Sequence, residues 1–132
     1  MVVKKVPHDS ILIVDDEIDI ARCIKRFLET YGFHVSIFAN PLLALKEFYS
    51  NSDSYNLIIS DYNMKGMTGF EFSGSAKERN HSIKVLLSSA QDTGDFEFRK
   101  QAAAANVDGL LQKPYSLFNL VDIIEGKETK IP

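Results

Sequence analysis

Three apolar runs punctuate the chain without alternation: Ile11-Leu12-Ile13-Val14, Leu57-Ile58-Ile59 and Val85-Leu86-Leu87. A strand with one wet face alternates polar and apolar positions, whereas a strand covered on both faces is apolar throughout. The runs therefore predict buried strands of a parallel sheet. Val35-Ser36-Ile37-Phe38 and Gly109-Leu110-Leu111 add two weaker strand signals. Between these segments the apolar period lengthens to that of a helix. Ile20, Ile24, Phe27, Leu28 and Tyr31 share one stripe, Arg22, Lys25, Arg26 and Glu29 take the opposite face, and Gly32 closes the helix. Asn40-Pro41 predicts a cap and a first turn for a helix through Leu42, Leu45, Phe48 and Tyr49. A third helix over 69–78 carries Ser73, Gly74 and Ser75, so it is expected to be the least stable. A fourth runs from Asp92 to Ala105 and stops at Asn106, which tolerates a left-handed conformation. Ser116 caps a fifth through Leu117, Leu120, Val121 and Ile124.

Strict alternation of five strands with five helices predicts an α/β fold, a doubly wound five-stranded parallel sheet with helices on both faces. The 132 residues, 45% hydrophobic and 25% charged, suit one domain with one core. That domain is expected over 8–125, with a short polar tail at 126–132 and no output domain. A formal net charge of −3 leaves no broad basic surface, so direct nucleic-acid binding is not expected. The single cysteine, Cys23, excludes an internal disulfide framework, agrees with a reducing cytoplasm, and is expected to pack as a small apolar residue. No apolar stretch is long enough for membrane insertion and no signal core precedes Pro7, so a cytoplasmic location is expected.

In an open α/β sheet, ligands bind beyond the carboxyl ends of the strands. The residues expected there are Asp15, Asp16 and Glu17 after the first strand, Asp61 after the third, Ser88-Ser89 after the fourth and Lys113-Pro114 after the fifth. Any one of these is ordinary loop chemistry. Together they crowd three carboxylates, which repel unless some protonate or a cation joins them. A hard divalent ion resolves the repulsion, and Mg²⁺ characteristically combines one or two carboxylates with water and phosphate oxygens. His8, His34 and His81 are widely spaced and stand apart from this group.

Asp15-Asp16-Glu17, the segment Asp61-Tyr62-Asn63-Met64-Lys65-Gly66-Met67-Thr68-Gly69, Ser89-Ala90 and Lys113-Pro114, in this order, resemble the receiver domain of two-component response regulators along nearly the whole chain. The resemblance implies strand order 2-1-3-4-5. It implies that Asp61 is the phosphoacceptor, attacking a phosphohistidine. Mg²⁺, with Mn²⁺ as a substitute, would be held by Asp16, Asp61 and the backbone carbonyl of Asn63, with Asp15 acting through water. Lys113 and Ser89 would contact the phosphoryl group, and the Lys113-Pro114 bond is expected to be cis. The implied partners are a histidine kinase or phosphotransfer protein, expected to dock on Ile18, Ala21 and Arg22. A separate downstream protein would read the face of helix four, strand five and helix five.

The chain departs from the family pattern at three positions. Lys65 stands where proline is usual, which places either a solvated loop lysine or a positive charge that weakens Mg²⁺ binding. Leu110 replaces the usual Tyr or Phe, so an aromatic rotamer cannot carry the signal, and Asn106 replaces a glycine. The uncharged amides Asn63 and Gln91 flank the expected path of hydrolytic water, which implies a phosphoaspartate of intermediate to short life. Two other functions compete with the switch. One is a pseudo-receiver that binds its partner without phosphorylation. The other is an Asp61-based hydrolase, disfavoured because Asn63 stands where such enzymes carry a second Asp. No turnover enzyme is expected beyond self-catalysed phosphotransfer and slow autodephosphorylation.

Overall fold

Aliphatic runs extend where both faces can be covered, and each predicted run is a strand in the computed structural model, which describes residues 9–126. The strands are β1 (Ser10–Val14), β2 (His34–Phe38), β3 (Leu57–Asp61), β4 (Lys84–Ser89) and β5 (Gly109–Gln112). All pair in parallel, in the order β2-β1-β3-β4-β5, as the resemblance implied. The helices between them are α1 (Ile18–Glu29), α2 (Pro41–Ser50), α3 (Gly69–Arg79), α4 (Phe96–Ala104) and α5 (Leu117–Ile124). A short antiparallel hairpin, Asn63–Met64 with Met67–Thr68, turns through Gly66 at φ +90° and leads into α3.

The two-residue period of the strands divides the apolar side chains between the faces. Ile11, Ile13 and Ile59 pack with Ala21, Ile24 and Leu28 of α1 and with Leu120 and Val121 of α5. Leu12, Val14 and Ile58 pack on the other face with Ala44 and Phe48 of α2 and with Phe72 and Ala76 of α3. Full burial of each large aliphatic side chain contributes roughly 1.5–3 kcal/mol, so both faces are needed to hold the sheet. Phe98 and Ala102 of α4 are buried but belong to neither cluster. Phe98 instead meets the rings of Tyr62 and Phe70, each with centroids 5.1 Å away.

Local signals place the helix ends. Asn40 Oδ1 accepts the N–H groups of Leu42 and Leu43, and Ser116 Oγ accepts those of Phe118 and Asn119. Gly32 (φ +91°) and Asn106 (φ +60°) adopt the left-handed conformations expected of them. Thr68 and Glu71 form a reciprocal capping box at the start of α3.

Three expectations are corrected. α4 begins at Phe96 rather than Asp92, because Asp92 Oδ1 accepts Gly94 N–H in a tight turn and Asp95 caps the helix through Phe98 N–H. The buried stripe of α1 is Ala21, Ile24 and Leu28, which leaves Ile20 45% exposed. Cys23 lies on the outer side of that stripe and is exposed rather than packed. His8 and residues 127–132 of the expected tail lie outside the described residues. Among the described residues, no helix is long and apolar enough to cross a membrane.

Candidate functional site

Parallel register assembles the strand-end residues. Val14 lies beside Ser60, so Asp15 follows at the level of Asp61, and Asp61 is itself paired with Ser88. Ser89 pairs with Gln112, which brings Lys113 to the same edge. Asp15, Asp16 and Asp61 each present a carboxylate oxygen within 4.8 Å of the others. Asp15 and Asp61 are buried, at 4% and 7% exposure, while Asp16 faces solvent.

Lys113 counters part of this charge. Its Nζ lies 3.1 Å from Asp61 Oδ1 and 3.9 Å from Asp15 Oδ2. Burial alone would lower the Lys113 pKa, but the Asp61 hydrogen bond and the charges of Asp61, Asp15 and Glu17 reverse that and raise it. The side chain is an ammonium at neutral pH. Asp15 is pushed above the usual carboxylate range by burial and by the charge of Asp61, against the lowering effects of Glu17 N–H and Lys113. That N–H reaches Asp15 Oδ1 at 2.9 Å. One ammonium does not neutralise three carboxylates. The residual negative charge, the all-oxygen donors and the partly open rim on the Asp16 side fit a hard divalent cation.

Around this centre the loops have assigned tasks. Ser89 is 1% exposed, and its Oγ accepts Gln91 N–H at 2.9 Å, a bond that leaves the hydroxyl proton for another acceptor. Asn63, exposed, opens the hairpin two residues beyond Asp61. Lys65 extends an exposed side chain, but its backbone N–H donates to Asp16 Oδ2 at 3.3 Å. A proline at this position has no such donor, so Lys65→Pro would change the Asp16 environment as well as the loop charge. The Lys113-Pro114 bond is cis, as expected. Leu110 is half-buried and lines a groove with Ala102 and Ala103 of α4.

The expected kinase-docking trio is not a surface. Ala21 is fully buried, and Ile18 is half-buried against the core beneath α1, leaving Arg22 alone exposed. In their place Ile20 and Cys23 border an apolar groove with Pro114, Tyr115 and Leu117, which Lys113 also lines. His34 and His81 are exposed and take no part in the acidic group.

Several contributors escaped the sequence reading. The capping box was visible as Thr68-x-x-Glu71. The stacking of Tyr62, Phe70 and Phe98 depends on how α3 and α4 approach each other, and no local pattern encodes it. The Gln112 side chain, reaching over the end of β4, likewise had no sequence signal.

Comparison with known proteins agrees with this geometry. The chain is 34% identical over 119 residues to the chemotaxis protein CheY of Pseudomonas aeruginosa, covering 88% of this chain and 93% of that one. It spans 51%, 25% and 27% of three longer regulators that it also matches. The structure of Vibrio cholerae CheY4 superposes with a TM-score of 0.82 at 26% identity, covering 92% of this chain and 99% of that one. TrrA of Thermotoga maritima, solved in complex with Mg(2+)-BeF, superposes at 0.76 with 27% identity, covering 89% and 97%. The family model of the response regulator receiver domain matches residues 11–125, and with the acidic cluster, Ser89 and Lys113 gathered at one sheet edge, the chain belongs to that family.

Proposed function

We propose that this receiver domain is a phosphorylation-controlled switch with Asp61 as phosphoacceptor. The observation that carries the reading is the Lys113 ammonium, held 3.1 Å from Asp61 Oδ1 beside two further carboxylates. A carboxylate oxygen of Asp61 forms the new bond to phosphorus as the bond from phosphorus to a donor imidazole nitrogen breaks, and that nitrogen keeps the electron pair. The buried site limits water around the product anhydride. Lys113 sits where it can move from the carboxylate to a phosphoryl oxygen, and Ser89 has a proton to donate there. Asp16, Asp61 and the Asn63 carbonyl, with Asp15 through water, would hold Mg²⁺, with Mn²⁺ as a substitute. The ion would supply neutralising charge on the phosphoryl oxygens. Asn63 stands where Asp-based hydrolases carry a second Asp, which supports a switch rather than a turnover enzyme.

The phosphodonor in this reading is a histidine kinase or phosphotransfer protein that covers the groove between α1 and the start of α5, which Ile20 and Leu117 line together with Lys113. The changed surface is the α4-β5-α5 face, read by a separate protein. A reducing cytoplasm suits the exposed thiol of Cys23. The test is incubation with Mg²⁺ and acetyl phosphate, scored by intact mass and by beryllofluoride binding. One label per chain is expected, lost without continuous phosphate release and absent in Asp61→Asn. No label would favour a pseudo-receiver, and continuous phosphate release would favour a hydrolase. Ile20→Asp is expected to slow transfer from the cognate kinase at least tenfold, the size of an effect of about 1.4 kcal/mol, while labelling by acetyl phosphate stays unchanged. Equal slowing of both would exclude this groove as the docking face.

A further inference from the structure

Gln112 ends β5 directly beside Ser89 of β4. Although the residue is exposed, its side chain is fully engaged. Oε1 accepts Thr93 N–H at 2.8 Å, and Nε2 faces the carbonyl oxygens of Ser89 (3.2 Å), Lys113 (3.3 Å) and Ala90 (3.4 Å). A backbone N–H can only donate and a carbonyl can only accept, so these partners fix which end of the amide is oxygen. Burial does not impose these bonds, and a solvated glutamine would keep its rotamer freedom. What the amide does is join two segments distant in sequence. It ties the loop from Ala90 to Gly94 to the strand that delivers Lys113.

The loop it ties carries the chemistry. Ser89 Oγ is turned by Gln91 N–H, and Lys113 N–H donates to the Ser89 carbonyl at 2.8 Å. The amide therefore braces a unit that contains both the hydroxyl and the ammonium. We propose that Gln112 is a positioning residue for phosphoryl binding. Its carboxamide holds the Ser89 loop and the Lys113 strand at one separation, so that hydroxyl and ammonium address the same phosphoryl group. This rests on Asp61 being the phosphoacceptor. Gln112 touches no phosphoryl oxygen and acts through its two neighbours. Only a long primary amide satisfies the geometry: Glu lacks the donors, Met lacks both functions, and Asn is one carbon shorter.

The experiment compares wild type, Gln112→Met and Gln112→Glu in the full chain, measuring Mg²⁺ affinity, beryllofluoride affinity at saturating Mg²⁺, and amide exchange at Thr93. Both variants are expected to bind beryllofluoride about fivefold to tenfold more weakly, the scale of one or two lost net hydrogen bonds. Mg²⁺ affinity of the uncharged Met variant is expected to stay within about twofold of wild type, because none of the ion's ligands contacts this amide. Thr93 exchange should rise in the Met variant. Beryllofluoride affinity within twofold of wild type in both variants would overturn the proposal. So would equal weakening of Mg²⁺ and beryllofluoride, which would mark general damage rather than positioning. If wild type takes up no beryllofluoride, the phosphoacceptor reading fails, and this inference fails with it.

Discussion

Tyr115 follows Pro114 into the core beneath α5, where burial and then the charges of Asp15 and Asp61 push its phenol up to about 12 from the ordinary 10.0. Both causes oppose the phenolate, so the folded state keeps the proton while the unfolded chain releases it near pH 10. The stabilisation is therefore complete below pH 10 and is lost as pH rises towards 12. Two pH units correspond to about 2 kcal/mol at most, given partial solvent access. Urea melts at pH 9 and pH 11 are expected to show a larger alkaline loss for wild type than for Tyr115→Phe. An ultraviolet titration should show a phenol ionising near 12 in wild type that is absent from Tyr115→Phe.

Two glycines of α3 predict opposite outcomes for the same substitution. A Cβ at Gly69 would collide with a Leu87 methyl and stand 2.6 Å from the main-chain oxygen of Asp61, which cannot move without moving β3. At Gly74 a Cβ meets nothing within 4 Å. Gly69→Ala is expected to destabilise by about 1–3 kcal/mol through overpacking. Gly74→Ala should stabilise by about 0.5–1 kcal/mol through helix propensity. Denaturant midpoints of the two variants check both signs.

The strand ends were legible in the sequence because a two-sided sheet leaves unbroken aliphatic runs, and the polar residues within two positions of the end of each run mark the carboxyl edge of the sheet. The phase of α1 was not, because Ile20 and Ala21 are adjacent and hydrophobicity favours the larger side chain. Packing distance selects the smaller one: Ala21 lets the helix approach the sheet, and Ile20 is left to the groove. The start of α4 was obscured for a related reason, since Asp92 and Asp95 are equally good caps and only the turn at Gly94 decides between them.

At the scale of the molecule, the acidic edge makes the fold sensitive to cations. Three carboxylates share one site with Lys113 as the neighbouring ammonium, so an ion that binds the native site and not the unfolded chain shifts the folding equilibrium. At a Mg²⁺ concentration of about 100 times the dissociation constant, the gain is roughly 2.7 kcal/mol. Thermal melts with rising Mg²⁺ are expected to show this increase, and Asp16→Asn should remove most of it.

α4 shares neither of the two apolar clusters that clamp the sheet and rests instead on Tyr62 and Phe70 through Phe98, with Ala102 beside it. Its docking platform exists only after β3 and α3 have met, so the rate-limiting nucleus of folding can form without it. Weakening its seat with Ala102→Gly should then accelerate unfolding and leave refolding nearly unchanged, with a φ-value near zero in a stopped-flow chevron. A helix seated outside both clusters is also the one that can shift at the least cost to the rest of the chain.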